Sequence, residues 1–212
     1  MRASRYPLIL GGIAALACLA LGAWFFWPQA DPVRLPPGQT LEVAQLEELT
    51  PLPAFALESK GANLTPATLR GRWAFVFFGY TNCPDACPTT LAILNHVQET
   101  LRAQSIEPPR IVFVSLDPQR DTPELIEHYL AAFGADSIGA TGKEAALQKL
   151  LVYFGVTVAR REGVDAANYT FDHTTNFFLI TPDGRWLATF SPADDVDAVL
   201  EDTRTLLRLP LP

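Results

Sequence analysis

Residues 73–88 read WAFVFFGYTNCPDACP, and they predict three consecutive structural features. The first half is continuously apolar or aromatic, which is typical of a strand buried on both faces of a sheet. The second half holds Cys83 and Cys87 in a C-x3-C spacing, followed by Pro88. Proline suits the first turn of a helix because no backbone N–H is needed there. We therefore expect a buried strand, a cysteine loop and a helix that begins near Cys87.

Patterns further along the chain extend this prediction to a whole domain. Helical spacing of apolar residues continues to Leu101, and the helix opened by Thr122-Pro123 is expected to bury Leu125. Other runs and turn signals predict strands at 110–116, 176–181 and 185–190, and helices at about 143–154 and 194–207. This alternation predicts an α/β thioredoxin-like sandwich, in which functional side chains gather at the carboxyl ends of strands.

The N-terminal segment predicts a membrane anchor. Residues 8–27 carry no charge, follow Arg2 and Arg5, and are followed by Pro28. Twenty apolar residues span a hydrocarbon core of about 30 Å. The arginines are expected to stay in the cytoplasm with residues 1–7, which makes the chain a single-pass protein of a bacterial inner membrane with its C-terminal domain in the periplasm. A cleaved signal peptide is the alternative, and the length of the apolar run disfavours it.

Two observations set the limits of the exported part. The proline-rich segment 28–51 is expected to be a semi-extended tether, which leaves residues 52–212 as one domain of ordinary size. The formal net charge of −7 argues against nucleic acid as a partner, because phosphate binding needs a basic surface.

The cysteine pair and one distant histidine suggest a metal site. Cys83 and Cys87 are the only cysteines outside the apolar N-terminal segment, and His173 follows in the sequence FDHT. Two soft sulfurs and one imidazole suit Cu(I) and can also hold Cu(II). A helix N-terminus favours the thiolate, which is the form that binds metal. A structural disulfide and a metal-independent redox dithiol are the alternatives, although so short a disulfide loop stabilises a fold little.

The histidines differ in their expected roles. A lone histidine is more often a surface or core residue than a ligand. His173, however, is expected on a turn before the strand at 176–181, where a thioredoxin-like fold faces its cysteine loop. His96 and His128 lie beside the apolar stripes of their predicted helices, and both are expected to be solvated.

The segment DPQRDTPE, residues 117–124, follows the strand predicted at 110–116. Asp121 with Glu124 has the spacing of a capping box, or Thr122 caps the helix with Pro123 at its first position. Asp117 stands at the strand end. It is therefore predicted either to lie behind the metal ligands or to belong to a partner surface.

Three motifs together resemble the Sco/SenC family over about residues 52–207. They are the C-x3-C-P loop at Cys83, the D-P-x-R-D-T-P segment at Asp117, and the D-H-T histidine at His173. The resemblance implies a thioredoxin-like fold that binds copper through Cys83, Cys87 and His173. It also implies a role in assembling the binuclear copper A site of cytochrome c oxidase, by delivering copper, by reducing cysteines, or by both. Asn82 stands where many relatives have histidine, which is expected to alter copper exchange rather than remove a ligand.

The sequence is thus interpreted as a membrane-anchored copper chaperone that binds one copper, as Cu(I) or Cu(II). Its expected partner is the copper-receiving subunit of the oxidase or another copper chaperone. The main alternative is a thiol–disulfide oxidoreductase in which Cys83 and Cys87 are the catalytic thiols. A thiol peroxidase is disfavoured because the second cysteine lies too close to the first. A sensor is disfavoured because no output domain is visible in the sequence.

Overall fold

The computed structural model describes residues 33, 35–134, 136–163 and 168–211. The predicted cytoplasmic segment 1–7 and anchor 8–27 lie outside these residues. None of the helices in the described part of the chain is long and apolar enough to cross a membrane.

The described residues form a seven-stranded sheet and a separate two-stranded ribbon. In the large sheet the strand order is β1-β9-β8-β3-β4-β5-β2, and β3, β4 and β5 run parallel. The strands are β1 (Gln45–Pro51), β2 (Glu58–Ser59), β3 (Ala74–Gly79), β4 (Arg110–Ser115), β5 (Ser137–Thr141), β8 (Phe177–Ile180) and β9 (Arg185–Phe190), with β6 (Val158–Glu162) and β7 (Tyr169–His173) in the ribbon.

Five helices in the described ranges cover the large sheet and complete the predicted α/β sandwich. Strand β3 divides its side chains between two cores: Phe75 packs on one face and Phe78 on the other. Both faces are buried, as the continuous apolar run predicts. The helices are α1 (Pro66–Leu69), α2 (Ala86–Ala103), α3 (Pro123–Ala131), α4 (Glu144–Tyr153) and α5 (Val196–Leu206).

The tether prediction is wrong at its C-terminal end. Residues 45–51 form β1, which pairs antiparallel with β9, and Leu49 is buried in the core. Asp202 of α5 holds the chain just before this strand, because its carboxylate accepts the backbone N–H groups of residues 42–44 at 2.7–3.0 Å. The domain therefore begins before the predicted boundary at residue 52. Proline content hid this strand. Pro51 is the last residue of β1, and β1 lies at the edge of the sheet, where proline is tolerated.

Other differences from the predictions have local causes. Leu125 is exposed and not buried, because α3 turns Ile126 and Leu130 toward the sheet instead. Strand β5 was not predicted, since its sequence SIGAT is small and weakly apolar. The ribbon was not predicted either, and His173 therefore ends a strand where a turn was expected. His96 and His128 are both exposed, as predicted.

Candidate metal centre

The cysteine loop joins the end of β3 to the start of α2. Cys87 is the second residue of the helix, and the N-cap residue Asp85 makes no side-chain capping bond. The backbone N–H of Cys87 instead donates to Sγ of Cys83 at 3.4 Å. The sulfur of Cys83 thus takes the place of a capping oxygen. Because unpaired N–H groups carry partial positive charge, this position favours a thiolate.

His173 approaches the same loop from the end of β7. Its ring lies 6.2 Å from that of Tyr80, and Nδ1 is 2.8 Å from the carbonyl oxygen of Thr174. Because a carbonyl oxygen can only accept, Nδ1 carries the proton. The free lone pair of the neutral ring is then on Nε2. A backbone carbonyl that fixes the tautomer in this way is a common feature of metal-binding histidines.

The three predicted ligands meet in one cluster. Ligand atoms of Cys83, Cys87 and His173 all lie within 4.8 Å of one another. Two atoms that are each about 2.3 Å from one ion can be at most about 4.6 Å apart, so the cluster is close to the size of a single-ion site. Cys83 and His173 line an open cavity of about 400 Å³, and Cys87 lies behind it. Two sulfurs and an imidazole are a donor set that fits copper.

The two thiols share their protons unequally. The hydrogen bond from the Cys87 thiol lowers the pKa of Cys83 to about 4, well below that of an ordinary thiol. The same bond to Cys83, together with burial, raises the pKa of Cys87. The pair therefore loses its first proton easily and keeps its second, which a bound metal would have to displace.

This asymmetry predicts selective alkylation of the reduced, metal-free protein. At about pH 6, below the usual thiol pKa of about 8.5, Cys83 should still be a thiolate and should react with iodoacetamide. Cys87 should stay unmodified, because it is protonated and lies behind the cavity. Peptide mass spectrometry after timed quenching measures both rates. Equal modification of both cysteines at this pH would contradict the assignment.

Gly79 leaves room for the Cys87 sulfur. A Cβ atom at this position would stand 2.4 Å from Sγ of Cys87 and 2.9 Å from the Phe113 ring. The sulfur of Cys87 therefore packs directly against the backbone at the end of β3. Sequence reasoning missed this role, although a glycine that ends an otherwise bulky apolar strand is the signal for such a close approach.

Asp121 is a second contributor that the sequence did not reveal. It is 1% exposed, and its carboxylate accepts from the Thr81 N–H at 3.0 Å and the Thr81 hydroxyl at 2.6 Å. It also accepts from the Ser115 hydroxyl at 2.5 Å. Thr122, not Asp121, caps α3. Asp121 thus fixes the start of the cysteine loop to the end of β4.

Asp117 is buried, and its carboxylate binds the ribbon that carries His173. It is 2% exposed, forms an ion pair with Arg120, and accepts from the Tyr169 hydroxyl at 2.7 Å. Both predicted roles of Asp117, behind the ligands or on a partner surface, stay predictions.

The sequence matches known proteins over most of this domain. A family model described as SCO1/SenC matches residues 45–208. A protein from Stutzerimonas stutzeri, whose name describes copper binding, is 35% identical over 183 residues, covering 85% of this chain and 83% of the relative. An SCO2-like protein from Rickettsia felis is 35% identical over 135 residues, covering 63% of this chain. The match spans 65% of the length of that protein.

The structure also resembles a solved one. Bradyrhizobium japonicum ScoI with copper bound has 30% sequence identity and a TM-score of 0.65, and the match covers 73% of this chain and 98% of that chain. This likeness confirms the predicted thioredoxin-like α/β fold.

Proposed function

The chain belongs to the SCO1/SenC family, and on this premise we propose that it is a copper chaperone that binds one copper through Cys83, Cys87 and His173. Copper is here the cargo and not a resident cofactor. We propose further that the recipient is the copper-receiving subunit of cytochrome c oxidase or another copper chaperone. The family resemblance supports the first of these, because it implies assembly of the copper A site.

The observation that carries the proposal is the convergence of three soft or borderline ligands at one side of the domain. Two thiolates and one imidazole can hold Cu(I), and the same set can hold Cu(II). Cys83 and His173 line the open cavity, so an incoming thiol of a partner could reach the ion from that side. Such access permits ligand exchange, which a fully enclosed site would prevent.

The cellular setting belongs to the same proposal. A single-pass anchor at residues 8–27 would hold the domain at the periplasmic face of a bacterial inner membrane. The uncharged run behind Arg2 and Arg5 supports this placement.

A thiol–disulfide oxidoreductase is the second candidate, and the unequal cysteine pair favours it. The Cys83 thiolate would attack a partner disulfide, forming a mixed disulfide and releasing one partner thiolate, which takes a proton. Cys87, after losing its proton to water, would then attack the Cys83 sulfur. This second step would release the reduced partner and leave Cys83 and Cys87 oxidised. Neither step needs His173.

Substitution of His173 separates the two functions. His173→Ala should lower the affinity for Cu(II) and shift or abolish the sulfur-to-copper charge-transfer absorption. The expected loss exceeds about 10-fold, the lower end of what groups behind a metal ligand contribute. Copper titration of the reduced protein, followed by absorption and by chelator competition, measures both effects. His96→Ala is the matched control, because His96 is exposed and does not belong to the cluster.

The rate at which the His173→Ala variant reduces a disulfide tests the second candidate function. If His173→Ala reduces a model disulfide at the wild-type rate while copper affinity is unchanged, the oxidoreductase is favoured and the copper proposal fails. Loss of copper affinity in His173→Ala, with His96→Ala unchanged, supports the chaperone.

A further inference from the structure

The ribbon that carries His173 is not part of the large sheet. In the described residues, β6 and β7 pair only with each other. Val158 is paired with His173 at one end of the ribbon, and Glu162 is paired with Tyr169 at the other. The strand that ends at His173 is therefore not paired with the seven-stranded sheet. The position of His173 over the cysteine loop depends on the short link to Phe177, the first residue of β8, and on contacts between the ribbon and the body of the domain.

Tyr169, at the start of β7, makes several polar contacts from the ribbon to the body of the domain. Tyr169 is 5% exposed, and its hydroxyl donates to Oδ1 of Asp117 at 2.7 Å. Nη1 of Arg120 donates to the Tyr169 carbonyl oxygen at 3.1 Å. The same guanidinium lies 3.6 Å from the centre of the Tyr169 ring. Hydrogen bonds to a charged partner and cation–π contacts are the stronger kinds of polar interaction.

Asp117, which binds the Tyr169 hydroxyl, is itself fixed by hydrogen bonds. The backbone N–H of Asp117 donates to the Ser115 hydroxyl at 3.0 Å, and the N–H of Asp121 donates to the Asp117 carbonyl at 2.9 Å. Asp121 in turn binds Thr81, at the start of the cysteine loop. One turn after β4 is thus bonded on one side to the cysteine loop and on the other to the ribbon.

We propose that Tyr169 and Asp117 are positioning residues that set the place of His173 relative to Cys83 and Cys87. This proposal rests on the proposed function and adds two residues that would hold one of the proposed copper ligands in place. Tyr169 and His173 are the two ends of one short strand, about 13 Å apart at the usual rise of a strand. A strand is stiff over this length, so fixing its first residue restricts its last.

Other contacts still hold the ribbon when the hydrogen bond between Tyr169 and Asp117 is removed. Phe171 packs against Tyr80 with ring centroids 5.2 Å apart, and its N–H donates to the Tyr80 hydroxyl at 3.3 Å. Removing only the Tyr169 hydroxyl should therefore loosen the His173 end of the ribbon without unfolding the domain.

Tyr169→Phe is the direct test. It removes the hydroxyl that binds Asp117 and keeps the ring under Arg120. Cu(II) affinity should fall roughly 10-fold, as it does when groups behind a metal-binding histidine are removed. The charge-transfer absorption should shift as well. Tyr153→Phe is the matched control: its hydroxyl donates to the Thr50 carbonyl at 2.7 Å, and the residue lies outside the cluster.

A double-mutant cycle shows whether the effect passes through His173. In a His173→Ala background, Tyr169→Phe should cause no further loss of copper affinity. An equal loss in both backgrounds, or no loss in Tyr169→Phe alone, would overturn the proposal. Asp117→Asn keeps an oxygen that can accept from Tyr169 and should retain more copper affinity than Asp117→Ala, whereas equal losses would count against a positioning role.

The metal-free protein gives an independent readout. Amide hydrogen exchange at residues 169–174 should be faster in Tyr169→Phe than in wild type, whereas Tyr153→Phe should leave it unchanged. Unchanged exchange in Tyr169→Phe would overturn the positioning role even if copper affinity fell. If wild-type protein bound no copper, the proposed function would fail, and faster exchange would still support the fastening of the ribbon by Tyr169.

Discussion

Replacing Cys87 with serine should lower the affinity for Cu(I) by more than about 100-fold. Changing groups that merely support a metal ligand costs about 10–100-fold, and here a proposed ligand itself is lost. The hydroxyl of serine is a hard oxygen donor and replaces poorly a thiolate that prefers soft Cu(I). Only Cys83 and His173 would then remain of the three proposed ligands, whose ligand atoms lie within 4.8 Å of one another. Competition with a chromophoric Cu(I) chelator under reducing conditions measures the change.

A control on the same helix tests whether the effect is local. Thr90→Ser is a similarly conservative change at a buried position one turn further along α2. It should leave copper affinity unchanged. Cys87→Ser with near wild-type affinity would mean that Cys87 is not a ligand. In that case Cys83 and His173 would bind copper alone, or the pair would serve only in disulfide exchange.

The members of the cluster could be predicted from the sequence because their selection depends on residue type. Cys83, Cys87 and His173 were identified from their soft donor atoms and from three motifs, and the structure brings all three together. The supporting residues could not be found in this way. Asp121 acts on Thr81 across 40 positions of the chain, and Tyr169 acts on Asp117 across 52. Such roles depend on which strands are neighbours in the fold, and no local sequence pattern indicates this.

Some elements of the fold could also be predicted from the sequence, and others could not. Strand β3 and helix α2 were predicted correctly, because each carries its burial signal within its own sequence. Strand β1 was predicted as a tether because the segment around it is rich in proline, and its own residues QLEELTP show little apolar character that would have indicated a strand. It becomes a strand by pairing with β9, more than 130 positions away along the chain. The ribbon was missed for the same reason: its two strands stabilise each other, and the exposed β6 sequence VARRE carries no core signal.

Gly79→Ala should reduce copper affinity by at least about 10-fold, although residue 79 offers no ligand atom. The added methyl group would stand 2.4 Å from Sγ of Cys87, well inside the distance that two such atoms tolerate. Either the sulfur moves away from Cys83 and His173, or the end of β3 moves away from the helix. Both responses change the spacing of the cluster, and overpacking of this kind lowers stability by about 1–3 kcal/mol. Chelator competition and thermal unfolding measure the two effects separately.

Gly139→Ala separates the loss of copper affinity from the loss of stability. Gly139 lies in β5, and a Cβ atom there would stand 2.1 Å from Cγ2 of Ile126 and 3.0 Å from Cδ1 of Leu130. This substitution should lower the melting temperature as Gly79→Ala does, because it overpacks the same core against the sheet. It should leave copper affinity unchanged, since neither Ile126 nor Leu130 belongs to the cluster. Equal copper losses in the two variants would mean that affinity follows global stability, and the contact between Gly79 and Cys87 would then have no specific role.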